Sequence, residues 1–145
     1  VIKAALSLTR TRIDQTQTEL ITDLPSAPVY VNAGEVRLSQ VIVNLISNAL
    51  DAMEESKERK LSITVSVKTQ VEIHVTDTGP GIDDPEKMFD PFYTTKSVDK
   101  GEGLGLGLSI SYGLVQSFGG DIKGKNSPSG AHMVVTLDKR NNDEH

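Results

Sequence analysis

Asp77-Thr78-Gly79-Pro80-Gly81-Ile82 is the stretch where chemistry is easiest to see. It closes the alternating run Val71 to Thr76, which reads as a half-buried strand. An ionised Asp offers acceptor oxygens and no donor. The exocyclic amine of a base such as adenine would satisfy it. Glycines at 79 and 81 let a backbone bend sharply and let a flat ligand come close. Asp and Gly also dominate ordinary turns, so taken alone the stretch reads first as a plain loop. Asp77 has the parity of Val71, Ile73 and Val75, which predicts that it points to the covered side of its sheet, where a carboxylate needs a partner.

Three other groups bear on that choice. At helical spacing, Asn44, Asn48 and Asp51 fall on one narrow stripe of an otherwise apolar segment. Asn is a mediocre helix former, and a merely solvated stripe would carry Glu and Lys, so amides here suggest a cavity wall. Asp51 could equally bond locally. Lys96 stands just before a glycine-rich run and could reach a phosphate or simply be solvated. Gly101, Gly103, Gly105 and Gly107 alternate through that run, which disfavours a regular helix, and a helix from about Leu108 to Phe118 is predicted to follow. A glycine-rich loop leading into a helix N-terminus is a ready anion site. It is neither a P-loop, since no Gly-Lys-Ser/Thr follows, nor a Gly-x-Gly-x-x-Gly fingerprint.

The elements that must position these groups follow from periodicity. Val1 to about Ile13 predicts a short helix, and Glu19–Leu24 and Val29–Val31 predict strands on either side of Pro25 and Pro28. Gly34 to about Ser56 predicts a long, mostly buried helix carrying the Asn stripe. Leu61–Val67 and Val71–Thr76 form a hairpin, as do Asp121–Lys125 and Ala131–Leu137, with Thr136 on the opposite face from Met133 and Val135. His74 falls on the polar face, as a solvated or hydrogen-bonded histidine. One apolar and one polar face per strand implies an antiparallel sheet covered on one side. Between the two hairpins, Asp83 to Lys100 has no regular pattern and suits a functional or mobile loop.

Composition narrows the classes. A chain of 145 residues is enough for one domain with a real core. A net charge of −5 argues against a nucleic-acid surface, and three Phe, three Tyr and no Trp against a stacking platform. Without cysteine there is no disulfide or thiolate metal site. No apolar run is long enough to span a membrane, so no membrane contact by this chain is expected. Opening at Val1 and not Met, the chain reads as a fragment of something longer.

Taken in order, the motifs resemble the ATP-binding catalytic domain of two-component sensor histidine kinases, within the wider group shared with gyrase, a heat-shock chaperone and MutL. Asn44 to Met53 resembles the N box, Asp77 to Ile82 the first glycine box, Phe89 to Lys96 the F box and Gly101 to Ile110 the second glycine box. The wording Asn-Ala-Leu-Asp-Ala-Met and Phe-Asp-Pro-Phe-Tyr-Thr-Thr-Lys looks closest to the dicarboxylate-transport and nitrogen-regulation sensor kinases. The resemblance implies a Bergerat-type fold: an α/β two-layer sandwich whose mixed, largely antiparallel sheet carries helices on one face. It divides the chain into an N-terminal helix at 1–18 that could continue a missing dimerisation domain, an ATP-binding domain at 19–138, and a disordered tail at 139–145.

The resemblance also implies roles. Asp77 would accept from the adenine amine, with Thr136 sharing a water, and Gly79 and Gly81 would let the base lie on the backbone. Asn48 would hold Mg²⁺, a hard cation that takes oxygen ligands. Asn44 would hold phosphate or metal-bound water. Lys96 and the amides after Gly103, with Gly105 and Gly107, would steady the phosphates, and Asp83 to Gly105 would be the lid. Two departures stand out: some relatives carry a basic residue where this chain has Asp51, and an extra Gly-Leu repeat leaves the second glycine box open to a register two residues either way.

The implied function is donation of the ATP γ-phosphate to a histidine on a separate dimerisation domain, and onward to a response regulator, on the cytoplasmic side of a sensor. This chain lacks that acceptor: His74, His132 and His145 are its only histidines, and none begins a His-Glu motif, so no catalytic residue is assigned. A gyrase-type ATPase is the alternative enzyme, but the Glu that orients water four residues before the metal-binding Asn is here Asn44. A nucleotide-binding adaptor without transfer activity is the non-enzyme alternative.

Overall fold

The computed structural model describes residues 2–25, 31, 34–54, 56–79, 104–127 and 130–139. All but the last two residues of the lid expected from Asp83 to Gly105, the strand residues Val29 and Tyr30 and the tail from 140 lie outside them.

Helix α1 (Ile2–Gln15) buries Ala5, Thr9 and Ile13, spaced four apart on one face. The Thr9 hydroxyl satisfies itself on the Ala5 carbonyl one turn back, at 2.9 Å. Strand β1 (Glu19–Asp23) follows, and then α2 (Glu35–Ala52). The apolar residues of α2 bury an arc wide enough to meet both neighbours: Leu38, Val41, Ile42, Leu45, Ile46, Ala49 and Leu50 are all 4 % exposed or less. Helix α1 packs on α2, and its Ala5 and Ile13 belong to the same continuous core.

Strands β2 (Lys60–Val67) and β3 (Gln70–Thr76) form the expected hairpin, and β4 (Asp121–Ser127) and β5 (Gly130–Asp138) form the second. One five-stranded sheet results, in the order β1-β2-β3-β5-β4. Among the described strands only the β1–β2 pair is parallel, because α2 carries the chain back between them. Val31 makes a single antiparallel bridge to Lys139. Alternation puts Leu61, Ile63, Ile73, Val75, Met133, Val135 and Leu137 on the face covered by helices, and His74, His132, Val134 and Thr136 on the other. This is the mixed, two-layer sandwich that the sequence implied.

Helix α3 (Leu104–Ser117) differs from expectation. It begins four residues early and takes in Gly105 and Gly107, although each glycine costs a helix roughly 1 kcal/mol against Ala. Packing of its buried face, Ser111 and Val115, on the rest of the fold outweighs that propensity. Its end is where the sequence put it: Gly119 turns left-handed at φ 77°, and the Gly120 N–H closes on the Val115 carbonyl at 3.0 Å.

Candidate nucleotide site

The site lies where the C-terminal end of β3 meets the C-terminal end of α2. Asp77 is the first residue past β3, and its N–H continues the ladder to the Ala131 carbonyl of β5 at 3.0 Å. Strand parity turns its side chain inward, and it is only 5 % exposed. A buried carboxylate must be answered by donors. Oδ1 accepts from the Gly79 N–H at 2.8 Å and the Ala131 N–H at 3.3 Å. Two backbone N–H groups thus hold the carboxylate in one orientation.

The two glycines beside it are required by space. A Cβ on Gly79 would stand 2.9 Å from the Ala52 carbonyl oxygen and 3.1 Å from Asp77 Oδ1. A Cβ on Gly130 would stand 2.3 Å from the Asp77 carbonyl oxygen, closer than real contacts allow. Thr78, between Asp77 and Gly79, pins the turn to the α2–β2 loop: its hydroxyl donates to the Glu58 carbonyl at 2.7 Å and accepts from the Lys60 N–H at 3.0 Å. Arg59 braces the same loop from the other side by donating to the Thr16 carbonyl at 2.9 Å.

The α2 stripe splits into three different environments. Asn44 donates from Nδ2 to the Ser111 hydroxyl of α3 at 3.1 Å, and Ser111 is fully buried. Asn48 has a buried Nδ2 with no hydrogen-bond partner among the described residues. An orphaned buried donor is uncommon and asks for an acceptor beyond the described residues. Asp51 instead forms an ion pair with Arg12 of α1, which also donates to the Ser47 carbonyl at 3.5 Å. The Asp51 side chain is only 7 % exposed there. The structure thus engages Asp51 at the α1–α2 interface.

Thr136 also departs from its expected place. It stands in register with Glu72 and Asp121 on the outward face. There it lines a groove of about 530 Å³ with Gln70, Glu72, His74, Lys123 and Lys125. The β5 residue that meets Asp77 is Ala131, five positions earlier, or roughly 17 Å along the strand. One apolar/polar alternation cannot put Thr136 and Asp77 on the same side of the sheet. Gly105 and Gly107 lie within the first turns of α3. Gly81, Lys96 and Gly103 lie outside the described residues.

His74 is hydrogen-bonded on the outer face, as its parity suggested. Its Nδ1 meets His132 Nε2 at 2.8 Å and its Nε2 meets Glu72 Oε1 at 3.2 Å. Burial chiefly, with help from His74 and Lys125, pushes the His132 pKa below its ordinary 6.5. Arg12, Thr78, Ser111 and Ala131 do not stand out in the sequence. Ser111 alone leaves a usable signal there, a hydroxyl one turn before Val115 on the buried face of its helix.

The described residues fit an adenine nucleotide. They provide a backbone-fixed carboxylate for an amine edge, a glycine cradle that a Cβ would fill, and an orphaned amide one helical turn from a second amide. Comparison with known proteins points the same way. Residues 33–141 match the family described as histidine kinase-, DNA gyrase B- and HSP90-like ATPases. The chain is 39% identical over 137 residues to the C4-dicarboxylate transport sensor protein DctB of Pseudomonas aeruginosa, covering 92% of this chain and 22% of that protein. It therefore spans about a fifth of the length of this curated relative. The catalytic domain of histidine kinase ThkA superposes with a TM-score of 0.83 at 30% identity, over 95% of this chain and 90% of that one. The same kinase in complex with the response regulator protein TrrA superposes with a TM-score of 0.78 at 26% identity, over 99% of this chain and 40% of that one. The chain belongs to the histidine kinase-, DNA gyrase B- and HSP90-like ATPase family, and its fold is that of the ATP-binding catalytic domain of sensor histidine kinases.

Proposed function

We propose that this chain binds Mg-ATP and presents the γ-phosphate to a histidine on the dimerisation domain of its full-length protein, from which the phosphate passes to a response regulator. The observation that carries the reading is Asp77, a buried carboxylate fixed by two backbone N–H groups at the rim of the α2 stripe. Asp77 would accept from the adenine amine, and Gly79 would let the ring lie against the chain. Asn48 would give its carbonyl oxygen to Mg²⁺, and its orphaned Nδ2 would meet a phosphate oxygen. Bound Mg²⁺ supplies neutralisation of phosphate charge. Lys96 and Gly103 would complete the phosphate contacts, with α3 directing its N-terminal amides at them. Catalysis would then be positioning and electrostatics.

The likeness to a kinase seen with its response regulator supports a similar partner here. No described helix is long and apolar enough to cross a membrane. Use of ATP and of a response regulator supports a position on the cytoplasmic side. Hydrolysis by a gyrase-type route is disfavoured, because Asn44 cannot act as the base and the nearest α2 carboxylate, Asp51, is taken by Arg12.

The test is calorimetric titration of Mg²⁺ and a non-hydrolysable ATP analogue into the chain, beside Asp77→Asn and Asn48→Asp, followed by phosphate transfer to a supplied histidine-bearing domain. Binding that is lost in Asp77→Asn and altered in Mg²⁺ dependence by Asn48→Asp supports the reading. Binding without transfer would leave an adaptor, and steady turnover of ATP by the chain alone would make it a hydrolase.

A further inference from the structure

Ser111 is a polar side chain at 0 % exposure, one turn from buried Val115 on the same face of α3. Its hydroxyl accepts from Asn44 Nδ2 at 3.1 Å, across the α2–α3 interface. We infer that Ser111 is a positioning residue: it selects which end of the Asn44 amide faces the nucleotide site, so that Asn44 serves the cation side and not a phosphate oxygen. This inference rests on the Mg-ATP reading above and deepens it.

The argument is about the two ends of an amide. The carboxamide of Asn has a donor nitrogen and an acceptor oxygen on one planar carbon, roughly 120° apart. Left alone, it can turn over and exchange them. In this contact the Ser111 hydroxyl is the acceptor, with its own proton turned away from Asn44. An acceptor in a buried place takes the nitrogen end of Asn44. The oxygen end is then directed away from α3. An oxygen suits Mg²⁺ or a water bound to it, whereas a phosphate oxygen would need the donor that Ser111 has taken. One turn later the arrangement is complementary: Asn48 keeps a buried donor with no partner among the described residues. The two amides are therefore not equivalent. Asn44 offers an acceptor only, and Asn48 retains a donor suited to phosphate along with its own oxygen.

The experiment measures ADP binding to the whole chain by calorimetry across a MgCl₂ series, with thermal unfolding in parallel, for wild type, Ser111→Ala and Ser111→Thr. The Mg²⁺ midpoint should rise about two- to tenfold in Ser111→Ala, the worth of one hydrogen bond, with Mg-free ADP affinity unchanged within about twofold. Ser111→Thr keeps the hydroxyl and should restore the midpoint. A second arm repeats Ser111→Ala in an Asn44→Asp background, where both ends are acceptors and orientation no longer matters. There the midpoint shift should vanish, and this arm stands even if the added methyl of Ser111→Thr prevents folding. If Ser111→Ala lowers only the melting temperature, or shifts the midpoint equally in both backgrounds, Ser111 is a staple between helices and the inference is overturned. Failure of wild type itself to bind ADP would remove the Mg-ATP reading, and it is distinguishable because it appears before any variant is made.

Discussion

Arg12, in the last turn of α1, forms an ion pair with Asp51 in the last turn of α2. The pair is lopsided: the Asp51 side chain is 7 % exposed and that of Arg12 is 42 % exposed. Removing the arginine leaves a buried carboxylate without its counter-charge, which is worse than removing both. Arg12→Ala is expected to cost about 1–3 kcal/mol in denaturant unfolding, the lower end reflecting the half-exposed arginine. Asp51→Asn in the Arg12→Ala background should recover part of it. Nucleotide affinity should change by less than about twofold in Asp51→Asn, because that carboxylate faces α1. A tenfold loss in the same variant would return Asp51 to the phosphate site.

Glycines in this chain divide by what surrounds them. A methyl on Gly130 would sit 2.3 Å from the Asp77 carbonyl oxygen, a backbone atom that cannot move without shifting the carboxylate. Gly130→Ala should therefore destabilise the fold by about 2 kcal/mol or more and abolish nucleotide binding. Gly113 lies on the exposed side of α3, and a methyl there would meet no atom within 4 Å. Gly113→Ala should raise stability by about 1 kcal/mol through helix propensity alone. Thermal melts of the two variants, side by side, check both signs.

The fold is legible because its elements carry clean periods. The hairpins read from strict alternation in Leu61–Val67 and Val71–Thr76, and α2 from the apolar arc between Leu38 and Leu50. Asp77 can be assigned to the inner face by parity for the same reason. The start of α3 is not legible, because Gly105 and Gly107 argue locally against helix and only the packing of Ser111 and Val115 overrules them. Thr136 sits on the face that its parity predicts, yet away from Asp77. Parity says which side a residue faces, but not which residue of the partner strand it meets. That needs the β3–β5 register, in which Thr136 meets Glu72, while Ala131 reaches Asp77. The pairings Arg12–Asp51 and Asn44–Ser111 join residues 39 and 67 apart, so no local pattern says which residue meets which.

The outer-face histidines predict a dependence on acid. Burial, the neighbouring His74 and the Lys125 ammonium all disfavour protonation of folded His132. In the unfolded chain it titrates near its ordinary 6.5, so there the unfolded state binds more protons. Stability contributed by this group is therefore present above about pH 6.5 and is lost as pH falls below it. His132→Gln, which cannot charge, should flatten that part of the curve between about pH 5 and 7. Chemical denaturation at half-unit steps of pH reads it directly, and identical slopes in wild type and variant would show that His132 is not the group responsible.

Asp77→Asn separates the role of this side chain in the fold from its role toward a ligand. Oδ1 of Asp77 serves the fold, accepting from Gly79 and Ala131. An asparagine can keep its carbonyl oxygen on those two N–H groups, so the turn should survive with a loss of about 1 kcal/mol, since charge-assisted bonds become neutral ones. The same amide must then present N–H where the carboxylate presented oxygen. Facing an exocyclic amine, donor meets donor, and a buried donor left unsatisfied costs about 1–3 kcal/mol. Binding of ADP should weaken by about five- to 150-fold. Asp77→Ala should destabilise the fold as well, because the Gly79 and Ala131 N–H groups would be left without this acceptor. The expected signature is a near-wild-type melt with a weakened isotherm for Asn, and a lowered melt for Ala. An Asn variant that binds as tightly as wild type would move the base away from Asp77.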